Sequence, residues 1–71
     1  MFGTASGTVV EFDEHRGLGV IAGDDGTRYP FHCTQIADGS RTIEIGTSVT
    51  FQITAGMSGR LEASAIEHRD R

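Results

Sequence analysis

Apolar residues recur at every second position in this chain, in short runs separated by glycine-containing turns. The clearest run is Ser48 to Thr54, where Val49, Phe51 and Ile53 alternate with Thr50, Gln52 and Thr54. Successive side chains of an extended backbone point to opposite faces, so this pattern predicts a strand with one buried face, Val49, Phe51 and Ile53 all pointing inward. The same reading predicts strands from Gly7 to Phe12 and from Leu18 to Ala22. Gly23-Asp24-Asp25-Gly26 then supplies residues that tolerate positive φ, and Thr27 to His32 returns as the third strand of a hairpin. Thr34-Gln35-Ile36 is expected to form a short helical turn, with Ile36 plugging one end of the core. A long polar loop, Ala37 to Gly46, leads into the fourth strand. Gly56-Met57-Ser58-Gly59 makes the next turn, and Leu61 to Ile66 forms the last strand.

Five short strands rich in Thr, Val and Ile, with a long connection between the third and fourth, predict an all-β chain. They fit the five-stranded, partly open Greek-key barrel known as the OB-fold. The expected core is Val9, Ile21, Tyr29 or Phe31, Ile36, Val49, Phe51 and Ile66. Alternation in the hairpin places Leu18 and Val20 on the face opposite Ile21. It also sets Tyr29 and Phe31 against Arg28, Pro30 and His32, which makes Tyr29 a core residue rather than a surface platform. Pro30 has no N–H to give to a ladder, so it suits a sheet edge or a bulge.

Seventy-one residues predict one domain, 1–71, with its core between residues 7 and 66. A chain of this size buries only about 60% of its unfolded surface, which favours an economical closed architecture. The lone Cys33 excludes an internal disulfide and suits a reducing compartment. No apolar run approaches a membrane span, and Met1-Phe2-Gly3-Thr4 carries no secretory signal, so a cytoplasmic location without membrane contact is expected. Cys33, His32 and His15 lack the spacing of a structural zinc site, and neither a metal nor another cofactor is expected. No glycine-rich phosphate cradle precedes a helix and no nucleophile stands beside a base, so the chain does not read as an enzyme.

Two segments carry a resemblance. Arg16-Gly17-Leu18-Gly19-Val20-Ile21 is similar to the basic-Gly-Phe-Gly-Phe-Ile motif of the cold-shock domain family, and Tyr29-Pro30-Phe31-His32 to its Val-Phe-Val-His motif. Gly7-Thr8-Val9, Phe12, Asp24-Asp25-Gly26, Ile36, Gly46, Val49, Phe51, Gly56, Gly59 and Ala63 also fall where that family fills positions in kind. The resemblance runs from Gly7 to Ile66 and implies a small barrel that binds single-stranded RNA or DNA as a monomer. The departures share one surface. Glu11 stands where the family has an exposed tryptophan, Val10 where it has lysine and Asp13 where it has asparagine. Leu18, Val20 and Pro30 replace exposed phenylalanines, and Cys33 replaces an aromatic residue.

The resemblance thus implies a nucleic-acid site at Arg16, Leu18, Val20, Arg28, Pro30 and His32 that has lost most of its stacking rings. Each base stacked on an aromatic ring contributes about 1–3 kcal/mol, so the expected binding is weak and sequence-tolerant. The formal charge of −4, from six arginines, no lysines and ten acids, points the same way, because phosphate neutralisation supplies most non-specific affinity. His32 reads either as a ring that stacks on a base or as an exposed strand histidine. Arg16 and Arg28 read as phosphate contacts, as solvated loop charges or as partners of Asp24 or Asp25. Pro30 either guards an open edge or offers its flat ring as a weak stacking surface. A protein-interaction module is the alternative function, its patch of Leu18, Val20 and Pro30 rimmed by Arg16, Arg28, Glu11 and Glu14. The surface potential around His32 separates the two: a continuous positive stripe favours nucleic acid, a broken one a protein partner.

Overall fold

The computed structural model describes residues 3–56 and 59–69. Among them are five antiparallel strands, β1 (Thr4–Asp13), β2 (Leu18–Gly23), β3 (Arg28–His32), β4 (Ser48–Ala55) and β5 (Leu61–His68), and one 3-10 turn, Cys33–Gln35. The strands form one sheet in the order β3-β2-β1-β4-β5. β1 pairs with β2 along one stretch and with β4 along the other, which is how one strand bends round a small core. β3 and β5, the ends of the strand order, approach each other. Just past β3, the residue closing the 3-10 turn joins β5 through a parallel bridge between Ile36 and Ile66, where the Ala37 N–H donates to the Ile66 carbonyl at 2.7 Å. This is the expected all-β, five-stranded architecture.

Four of the five strands run longer than alternation alone predicts, while β3 begins at Arg28, one residue later than expected. β1 starts three residues before Gly7, because Thr4 to Thr8 pair with Gln52 to Ser48 of β4. β5 continues past Ile66 because Glu67 and His68 pair with Thr50 and Val49. The helical turn begins at Cys33, one residue early, and Ile36 closes it as a buried cap. Of the expected turn at Gly56-Met57-Ser58-Gly59, Met57 and Ser58 lie outside the described residues. On its flanks the Gly56 N–H donates to the Arg60 carbonyl at 2.7 Å.

The core holds every residue expected there, with both Tyr29 and Phe31, and adds Ile43 and Ala63. Phe51, Ile21, Ile66, Val9 and Val49 are fully buried, and burying such a side chain stabilises a fold by about 1.5–3 kcal/mol. The Tyr29 ring tilts by 56° against Phe51 at 5.1 Å, and Phe31 stacks on Phe12 at 6.1 Å. Ile53 departs from the expected inward row. It is half-buried at the margin of the core, near the turn that joins β4 to β5.

Two bulges set which side chains face in. On β1, Val9 pairs with Ile21 and Glu11 with Val20, so Val10 is the extra residue. The bulge shifts the alternation by one, which turns Phe12 inward and Glu11 and Asp13 outward. On β5, Ser64 pairs with Gln52 and Glu67 with Thr50, leaving Ala65 and Ile66 opposite Phe51. Ala65 has φ of 48°, and its left-handed backbone lets Ala63 and Ile66 both reach the core three positions apart. Close approach of strands demands glycine at two places. A side chain on Gly7 would run into the Ala22 carbonyl of β2, and one on Gly19 would lie 2.5 Å from the Phe31 ring.

Candidate nucleic-acid interface

Cross-strand pairing sorts the outward face of β1, β2 and β3 into three rows. Asp13, Leu18 and His32 form the first, Glu11, Val20 and Pro30 the second, and Thr8, Ala22 and Arg28 the third. Leu18 is 45% exposed, His32 and Arg28 are exposed, and Val20 and Pro30 are half-buried. Five of the six site residues expected from sequence therefore share one face. The sixth, Arg16, sits in the turn between β1 and β2 and, with Leu18, Val20 and Pro30, lines a shallow groove that opens across that face. Pro30 occupies β3, the first strand in the sheet order, so its missing N–H falls on an edge strand.

The acids on this face already have partners. Glu11 meets the Arg28 guanidinium at 3.7 Å across β2, with both side chains about two-thirds exposed. Asp24 and Asp25, the acids the sequence offered as alternative partners for Arg28, are otherwise engaged. Asp24 accepts from the Ser6 hydroxyl at 2.8 Å and lies 3.9 Å from Arg69. Asp25 accepts from the Thr27 N–H at 2.9 Å and from the Tyr29 hydroxyl at 3.2 Å. The Thr27 amide, more than any other group, holds the Asp25 carboxyl below its ordinary range. Asp13 is spent on its own turn, where one carboxylate oxygen accepts from the His15 and Arg16 amides at 3.0 and 3.3 Å. Arg16 is in no ion pair among the described residues.

His32 does more than decorate the strand end. Its Nδ1 accepts from the Thr34 N–H at 3.2 Å and lies 3.0 Å from the Thr34 hydroxyl, which caps the 3-10 turn. An accepting Nδ1 places the ring proton on Nε2. The cap fixes the ring's position beside Leu18, its cross-strand neighbour, and leaves the residue exposed.

Two arginines that sequence reasoning did not single out flank this face. Arg41, from the long loop, lines a second pocket together with His15, Arg16, His32, Thr34 and Ser40. Arg60, at the β4–β5 hairpin, lines a third with Leu61, Val20, Arg28 and Pro30. Arg16 is common to the first two pockets, while Val20 and Pro30 are common to the first and third, so the three adjoin. The loop carrying Arg41 is anchored by Ile43, buried in the core, whereas Ile45 two residues on is 65% exposed. Positive charge gathers at the His32 end and recurs at Arg60, and the Glu11–Arg28 pair between them breaks the stripe, the one feature of this face that favours the alternative of a protein partner.

Comparison with known proteins agrees with this architecture. The cold-shock DNA-binding domain family matches residues 5–68. The cold shock protein ScoF of Streptomyces coelicolor is 46% identical over 57 residues, 78% of this chain and 85% of the relative. The cold shock-like protein CspD of Vibrio cholerae is 36% identical over 61 residues, covering 83% of this chain and 80% of its own length. The cold shock-like protein CspE of Buchnera aphidicola is 39% identical over 62 residues, 84% of this chain and 90% of the relative. With a family match across nearly all of its described strands and such relatives along most of its length, the chain belongs to the cold-shock DNA-binding domain family.

Proposed function

We propose that this protein binds single-stranded RNA or DNA weakly and with little sequence preference, through the outward face of β1, β2 and β3. The observation that supports this most is the juxtaposition of the apolar strip Leu18, Val20 and Pro30 with exposed His32 and unpaired Arg16 on that face. Leu18 and Val20 offer apolar contact to base faces, His32 supplies a ring for one base, and Arg16 meets a phosphate. Arg28 contributes once a phosphate competes with Glu11 for its guanidinium, an exchange that costs little because exposed ion pairs contribute only about 0–1 kcal/mol. A weak, sequence-tolerant contact suits an RNA chaperone or regulator acting as a monomer in the cytoplasm, where Cys33 stays reduced.

The test is an NMR titration with a short oligothymidylate and a matching oligoadenylate. Both strands should shift the Leu18, Val20 and His32 backbone signals and the Arg16 side chain, in fast exchange. Shifts confined to another surface would remove this face from the account. Saturating strand with no shift anywhere would instead favour a protein partner for the Leu18, Val20 and Pro30 patch.

A further inference from the structure

We propose that the pocket beside His32 is a receptor for a phosphate monoester at the end of a bound strand. This rests on the reading of the neighbouring face as a single-strand site and adds a preference for phosphorylated ends. Three segments meet there: the β1–β2 turn with His15 and Arg16, the 3-10 turn with His32 and Thr34, and the long loop with Ser40 and Arg41. In a chain with ten acids, Glu14 is the only carboxylate on the pocket wall. Arg16 and Arg41 are both outside any ion pair among the described residues. Asp13 and Asp38, the nearest acids in sequence, are turned to local amides: Asp13 accepts from His15 and Arg16, and Asp38 accepts from the Ser40 N–H at 2.9 Å.

The ligand class follows from charge and position. An internal phosphodiester carries one negative charge, whereas a terminal monoester carries about −1.5 to −2 at pH 7 and three acceptor oxygens. Two guanidiniums, each able to donate two parallel N–H bonds, match the second better than the first. The pocket also adjoins the end of the apolar groove through Arg16, where a strand lying over Val20 and Leu18 would terminate. The His32 cap holds this corner in place by tying β3 to the 3-10 turn.

The experiment compares one short thymidylate strand carrying a 5′-phosphate, a 3′-phosphate or free hydroxyls at both ends. Fluorescence anisotropy in competition format gives the three affinities, with wild type and with Arg41→Gln. One phosphorylated form should bind about 3- to 10-fold tighter than the hydroxyl form, since each exposed charge pair adds up to about a factor of five. Arg41→Gln should bring that ratio close to one. Equal affinities for all three strands in the wild type would overturn the inference while leaving the single-strand reading intact. Binding of none of them would overturn both. Inorganic phosphate and thymidine monophosphate form the last arm: either one binding as tightly as the phosphorylated strand would make the pocket a site for free phosphate rather than for a strand end. A preference that persists in a folded Arg41→Gln protein would also contradict the assignment.

Discussion

Replacing Leu18 and Val20 together with phenylalanine should raise the affinity for a short single strand by about 10- to 100-fold, a share of the 1–3 kcal/mol that each stacked base contributes. Both side chains point away from Ile21, and neither belongs to the core cluster. Larger rings there extend outward beside His32 and Pro30 rather than overpacking the interior. Glu11→Trp in the same background should add more than either phenylalanine. It contributes a ring in the Val20 row, removes a carboxylate that repels phosphate, and releases Arg28 from its 3.7 Å ion pair. The variants should melt within about 1 kcal/mol of wild type, as surface substitutions do. Unchanged affinity in a still-folded double variant would mean that nucleic acid does not use this face.

Phe51→Ala should cost about 3–5 kcal/mol, the range for truncating a buried aromatic ring. Phe51 is fully buried, is packed against Tyr29, and lies on β4 opposite the β5 bulge that brings Ile66 inward. The truncation therefore opens a void where the two halves of the sheet close on each other. Small domains hold about 5–15 kcal/mol in total, so this single change should leave the protein largely unfolded on modest warming. Ile45→Ala is the control, because that side chain is 65% exposed and its loss should change stability by no more than about 0.5 kcal/mol. Urea unfolding of the pair checks both numbers. A Phe51 variant as stable as the Ile45 variant would refute this description of the core.

The strands and most of the core were legible because the period-2 pattern is local and each turn carries its own glycines or acids. The bulges were not. An extra residue such as Val10 or Ala65 has no compositional mark, yet it decides whether Phe12 and Ile66 face in or out. Ile43 and Ile45 look alike in a polar loop, and only the path of that loop over the barrel buries one and exposes the other. The candidate face was legible as a set of departures from a family motif. Its electrostatics were not, since Glu11 and Arg28 meet across an intervening strand and Arg41 and Arg60 arrive from distant segments. The capping role of His32 depends on the turn that follows it, which alternation does not foresee.

The central claim is that phosphate contacts, rather than stacking, carry the binding on the β1–β3 face. The salt dependence of oligothymidylate affinity tests it most directly. Engagement of two to four arginines predicts a slope of log K against log salt of about −1.4 to −2.8, at −0.7 per phosphate neutralised. Arg16→Gln should reduce that slope by about 0.7 while the protein stays folded. Tight binding that is insensitive to salt would contradict the account.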